Sequence, residues 1–303
     1  MSARMSGDYV SFSVGENGKK YGVDARVYSK VSPSLGAMLK EKLAEATESA
    51  ADWSYVDVPT FERFTMWVRT GLYLPPEPKT DRRRDLAKLG PEHGPEHPLR
   101  GLGNWGERLG SCAFDFHVCP DCRSTETSRS GEDHYRCWHC RSEFDLQCQS
   151  CNAQMSKGLQ TLVGQFIDAV EVRYPFTGHV KLSCRWNRDA TEDHTEVFLC
   201  HAHMYILADV WDIEKLRERA LYELHMALTR FIIYPARIGD LITLAEYVFD
   251  YTLPEDAMYQ MLVMYLSCIW GEISHFQGPD VILDDRKVAR GILETIVTFS
   301  TPE

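Results

Sequence analysis

No apolar run in this chain is long enough to cross a membrane. The longest, such as Met261 to Leu266, fall well short of the ~20 residues a helix needs to span hydrocarbon, so no membrane partner is expected. The residues from Met1 to Gly7 hold no apolar signal-peptide core. That predicts an intracellular protein, in cytoplasm, nucleus or both, whose cysteines do not form the disulfides of small secreted domains. Positive charge is also scarce. With 33 Lys and Arg against 44 Asp and Glu, the formal net charge is -11, whereas an unspecific grip on nucleic acid needs Lys and Arg in excess to neutralise phosphates. The glycine-rich stretch Gly101 to Gly106 lacks the Lys-Ser/Thr of a P-loop and follows no strand, so it reads as a loop. The chain is nevertheless no disordered tail: 44% of its 303 residues are hydrophobic, which suits two or three compact units.

Cysteine is what the chain has in a telling pattern. Cys119-Pro-Asp-Cys122, Cys137-Trp-His-Cys140 and Cys148-Gln-Ser-Cys151 follow one another closely. A pair at this spacing presents two sulfurs from one tight turn, and two such turns supply the four thiolates of a tetrahedral zinc site. Between the first two pairs, Arg123 to Arg129 reads as a strand, Ser130 to Asp133 as a turn and His134 to Arg136 as a returning strand. Knuckle, strand, turn, strand, knuckle is the order of a zinc ribbon, and the segment resembles the ribbons of transcription-machinery proteins, with Arg141 where those often carry glycine. The expected ligands are Cys119, Cys122, Cys137 and Cys140. Four thiolates leave no open position to activate water, so the expected cofactor is a structural zinc. Cys148 and Cys151 could complete a second site with Cys112 and His117.

Elsewhere the hydrophobic pattern alternates between strand and helix. Val10, Phe12 and Val14 share one strand face; Asn17-Gly18 marks a hairpin turn whose residues tolerate positive φ; Lys20 to Asp24 returns. A short helix is expected over Arg26 to Val31, then another opened by Ser32-Pro33 and carrying Leu35, Met38, Leu39 and Leu43 on one face. Trp53 to Val58 alternates as a third strand, and Pro59-Thr60 opens a helix with Phe61, Phe64, Trp67 and Val68 inward, ended by Thr70-Gly71. Pro75 to His97 is too rich in proline, glycine and charge to form a core; Arg82 to Arg84 within it reads as a solvated charge run. After the cysteines, Leu159 to Val170 reads as a helix and His179 to Trp186 as a strand, which could pack on the ribbon or join the first sheet. From Ile232 to Thr301 the pattern is helical, with a cap at Leu253 to Asp256 and a last helix over Asp285 to Phe299.

Two stretches carry a family resemblance. Phe12 to Gly15, Tyr21 to Pro33, Val58-Pro59 and Phe61 to Gly71 resemble the first half of a BTB/POZ domain. Val197 to Trp211, followed by Asp212 to Leu216 and Ala220-Leu221, resembles the second half as found in fungal BTB/POZ proteins, where a helix containing Tyr-x-Leu-Ala-Asp, here Tyr205-Ile-Leu-Ala-Asp209, is followed by a turn and a further helix. Asp24 stands where the family usually has histidine, and Ser34-Leu35 replaces an aromatic pair. What the resemblance implies is an α+β chain: a BTB/POZ fold, a small mixed sheet with a helical layer, split by a zinc-ribbon insertion and followed by an α-helical C-terminal extension. The expected segments are 8–74 and 196–230 for the two BTB/POZ halves, 75–111 linker, 112–152 ribbon, 153–195 remainder of the insertion and 231–303 helical extension.

Candidate chemistry outside the ribbon is sparse. Cys200, His201 and His203 invite a metal or nucleophile reading, but helical residues two apart point to different faces, so the histidines cannot chelate as an i, i+4 pair would. Cys184 and Cys268 lie in apolar patterns and read as small buried hydrophobes. No enzyme and no small-molecule substrate are expected. The resemblance implies non-catalytic protein recognition, by docking to another protein or to itself, with adaptors of cullin-type ubiquitin ligases as one use of the fold. The competing class is a nucleic-acid-binding transcriptional regulator that uses the ribbon, and the ribbon's mixed charges count against it.

Overall fold

The structure, a computed structural model, describes residues 9–44, 50–80, 127–129, 135–137, 143–144, 157–172, 187, 190–276, 279–284 and 286–300. In chain order the first elements are β1 (Tyr9–Val14), β2 (Lys19–Asp24), α1 (Ala25–Tyr28), α2 (Pro33–Ala44), β3 (Ala51–Trp53) and α3 (Val58–Thr70). Next come β4 (Lys79–Thr80), β5 (Thr127–Arg129), β6 (Tyr135–Cys137), β7 (Glu143–Phe144), α4 (Lys157–Val172) and β8 (Glu192–Asp193). The rest is helical: α5 (Thr195–Val210), α6 (Glu214–Arg230), a 3-10 turn (Pro235–Arg237), α7 (Ile238–Tyr251), α8 (Ala257–Ile273), α9 (Asp280–Asp284) and α10 (Arg286–Ser300). The chain is thus α+β, mostly helix with small sheets. Among the described residues no helix is long and apolar enough to cross a membrane.

The chain packs as two compact units, one formed by Met1–Pro76 and Leu199–Leu221, the other by Glu77–Phe198 and Tyr222–Glu303. In the first, the sheet order is β2-β1-β3, antiparallel between β1 and β2 from Tyr9↔Asp24 to Val14↔Lys19, and parallel between β1 and β3 from Phe12↔Ala51 to Val14↔Trp53. The alternation of β1 buries Val10, Phe12 and Val14, and edge-to-face or tilted rings of Phe12, Trp53, Phe61 and Phe64 fill the space beside them.

Side-chain caps set where the helices begin. Asp24 accepts from the Arg26 N–H and opens α1, Ser32 Oγ accepts from the Leu35 N–H at 3.1 Å and opens α2, and Asp57 accepts from the Thr60 N–H at 2.9 Å and opens α3; each meets a backbone donor left over by helix geometry. Gly71, at φ 74, closes α3 with a left-handed turn.

Three local expectations need correction. The β1–β2 loop is Gly15 to Gly18, closed by the Gly18 N–H donating to the Gly15 carbonyl at 2.8 Å; its positive-φ residues are the two glycines, while Asn17 stays in ordinary backbone. The third strand ends at Trp53 instead of running to Val58. Asp52 accepts from the Ser54 N–H and Val56 donates to the Trp53 carbonyl, so the backbone turns there, and the apparent alternation joins a buried Trp53 to a Tyr55 that is 61% exposed. Leu43 of α2 is outward, beyond the reach of the core that takes Leu35 and Leu39.

In the second unit β4 pairs antiparallel with β8, and β5, β6 and β7 form an antiparallel meander in which Thr127 faces Cys137 and Tyr135 faces Phe144. Helix α4 buries Leu162, Val163, Phe166 and Ala169, and packs with α8 and α10. Helix α10 comes close to α8 at Gly291, where a Cβ would stand 3.1 Å from a Val263 methyl. The strand expected at His179 to Trp186 lies outside the described residues.

Candidate functional site

Of the expected zinc ligands, Cys119, Cys122 and Cys140 lie outside the described residues, as do Cys112, His117, Cys148 and Cys151. Cys137 ends β6, and its backbone is described: it pairs with Thr127 across the β5–β6 hairpin. Strands β5 and β6 fall on the two stretches read as strands between the first two cysteine pairs, whereas β7, after Cys140, is a strand the sequence pattern did not predict. Among the described residues no cluster of three or more His, Cys, Asp or Glu is set to hold a metal ion.

The histidines of α5 divide as helix geometry requires. His201 is fully buried; its Nδ1 shares a hydrogen bond of 2.8 Å with the Tyr73 hydroxyl. Burial, then the positive charges of Arg63 and Arg219, hold its pKa down at about 3, so the ring is neutral and cannot relay protons to solvent. His203, two residues on, faces the start of α3, where its Nδ1 lies 3.3 Å from Asp57 Oδ2 and 3.3 Å from Thr60 Oγ1. Thr, His and Asp side by side suggest a hydrolytic triad. They do not form one, because a triad needs the acid on one ring nitrogen and the hydroxyl on the other, and here both meet Nδ1. The group is a brace between α5 and the cap of α3. Cys200 is buried, and burial pushes the Cys268 thiol far above its ordinary value, so neither is an available nucleophile.

Buried charge in the second unit is also structural. The Arg237 and Asp240 side chains are fully buried, with Arg237 Nη1 3.6 Å from Asp193 and 3.8 Å from Asp240, and the His194 N–H donates to Asp240 Oδ2 at 2.9 Å. This holds the chain around β8 to the first turn of α7. Helices α4, α8 and α10 also line a groove of about 700 Å³ that includes Gln165, Val263, Met264, Lys287 and Phe299. Glu294, the one acid among its described lining residues, is paired with Arg290 at 2.6 Å.

The first unit presents one feature that the sequence pattern hid. Trp211, from the α5–α6 turn, stacks on buried Trp53 with ring centroids 5.2 Å apart and 22° between planes. Its indole N–H donates to the hydroxyl of exposed Tyr55 at 3.1 Å. The residues are too far apart in sequence for any local pattern to join them. Set against known protein families, curated proteins and solved structures, the chain matches none of them.

Proposed function

We propose that the chain is a non-catalytic protein-recognition module of BTB/POZ type, an adaptor or a scaffold for self-association, that carries a structural zinc ribbon inserted between the two halves of the recognition domain. The observation that carries this reading is that Met1–Pro76 and Leu199–Leu221 pack as one compact unit despite the long stretch between them. Those are the stretches whose motifs resemble BTB/POZ, and the unit they form contains a small mixed sheet with helices beside it.

The ribbon's donor set suits zinc: thiolates in two-residue-spaced pairs, with a β5–β6 hairpin between them that sets Cys137 opposite Thr127. Cys119, Cys122, Cys137 and Cys140 would hold the ion, and Cys148 and Cys151 with Cys112 and His117 a second one. Bound zinc would cross-link the knuckles and supply no chemistry, since four thiolates would close its coordination sphere.

The experiment is affinity capture with the purified full chain after nuclease treatment, read by mass spectrometry for a cullin or for the chain itself against transcription components. Nuclease-resistant capture of a cullin or of a tagged second copy supports the module. A salt-resistant, sequence-selective complex in a gel-shift assay, in place of protein capture, would overturn it, because specific complexes reach about 10⁻⁸ M or tighter and an acidic chain of this composition should not.

A further inference from the structure

Tyr55 and Trp211 form a pre-organised aromatic platform on the first unit. Trp211 is fixed from below by stacking on Trp53 and from the side by its N–H bond to the Tyr55 hydroxyl, while the Tyr55 ring lies 6.3 Å from that of Trp53. Because the Tyr55 oxygen accepts from the indole, its own hydrogen is left to donate outward. Tyr55 is 61% exposed and Val210, beside Trp211 in the chain, is 58% exposed. Trp and Tyr are the residue types that most often dominate interface energetics, and rings already held in place lose little freedom on binding.

Two exposed carboxylates, Asp52 and Asp212, lie close to the platform residues along the chain. Asp52 lies close enough to act electrostatically on the Tyr55 phenol, and its carboxylate is bonded to Ser54. Asp212 follows Trp211 directly and is exposed, in left-handed backbone at φ 52. Among the described residues no cation pairs with either, whereas nearby Asp209 is neutralised by Arg217 at 3.1 Å. An aromatic face rimmed by uncompensated carboxylates repels phosphates and offers little area to a purely apolar partner. It suits a cation with a flat apolar face. Guanidinium is the side chain of that description: it stacks on aromatic rings and keeps its charge at every physiological pH.

We propose that this face docks a basic segment of a partner protein, with an arginine side chain stacked on the Tyr55–Trp211 pair between Asp52 and Asp212. The inference rests on the reading of the chain as a protein-recognition module, and it names the chemistry of a partner.

The test is fluorescence anisotropy with the full chain and a labelled Arg-Gly repeat peptide at physiological salt, beside Lys-Gly and Glu-Gly counterparts. The Arg peptide should bind more tightly than the Lys peptide, and the Glu peptide not at all. Tyr55→Ala should weaken the Arg peptide about fivefold, equal to about 1 kcal/mol, and Asp52→Asn with Asp212→Asn should do the same. Asp280→Asn with Asp284→Asn removes equal charge from exposed positions of the second unit and should change nothing. Circular dichroism melts check that each variant is folded. No binding of the Arg peptide, or equal weakening by the remote pair, would overturn the proposal. The module reading fails separately: if Tyr55→Ala still captures every protein partner of the parent chain, the docking surface is wrong and the module stands.

Discussion

Two buried histidines should make this protein sensitive to mild acid. His201 is held down at about 3 by burial and by the positive charges of Arg63 and Arg219; His225 is held at about 4 by burial, against the pull of its Nε2–H bond to the Phe166 carbonyl at 2.6 Å. Both lie below the ordinary 6.5, so the unfolded chain takes the protons first. The neutral rings therefore contribute stability above about pH 6.5 that is lost progressively as pH falls towards 4. Thermal melts over that window should fall steadily, and His201→Gln should flatten the slope while lowering the melt at neutral pH. An unchanged slope would mean that His201 is not held neutral by the fold.

Asp57 works in the opposite range. Burial opposes its charge, but hydrogen bonds from His203 and Thr60 outweigh it and hold the pKa at about 2, below the ordinary 3.8. A depressed carboxylate contributes stability present above its unfolded value and lost as pH falls through its folded one. Asp57→Ala should cost about 1 kcal/mol at neutral pH as a lost helix cap. The gap between parent and variant should then close between about pH 4 and pH 2, read by urea midpoints at each pH.

At the scale of elements, α2 comes very close to the end of α1 at Gly36. A Cβ at Gly36 would stand 2.9 Å from the Ser29 carbonyl oxygen, a backbone atom that cannot rotate away. Gly36→Ala should therefore cost about 1–3 kcal/mol as overpacking. Gly164 lies within α4 with nothing inside 4 Å of its Cβ position, so Gly164→Ala should instead add about 0.4–1 kcal/mol by restricting the unfolded chain. Urea midpoints that move the same way for both would refute this account of the packing.

Elements were legible where local chemistry alone decides them. The alternation of Val10, Phe12 and Val14, the Ser32-Pro33 cap and the Gly71 stop are each set within a few residues, and the structure has them in place. The end of β3 is hidden in the sequence because Tyr55 continues the alternation of Trp53, while an Asp52–Ser54 hydrogen bond turns the chain. The platform of Tyr55 and Trp211 and the brace of Asp57 and His203 were not legible at all: both join residues brought together only by tertiary packing. Of the expected metal ligands, Cys137 has a described backbone: it ends β6 and pairs with Thr127.

At the scale of the whole molecule, a recognition unit and a metal-bearing insert should differ in what unfolds them. Structural zinc binding is folding free energy, so removing the metal should unfold the insert around β5, β6 and β7 and leave the unit built from Met1–Pro76 and Leu199–Leu221 in place. The measurement that tests this most directly is zinc content by elemental analysis of freshly reduced protein, taken for the parent chain and for Cys119→Ser. The account predicts at least one tightly held equivalent in the parent, about one fewer in the variant, and an unchanged near-ultraviolet signal from the ring cluster of Trp53 and Trp211. Less than about half an equivalent in the parent protein, where a closed site should be filled, would contradict it.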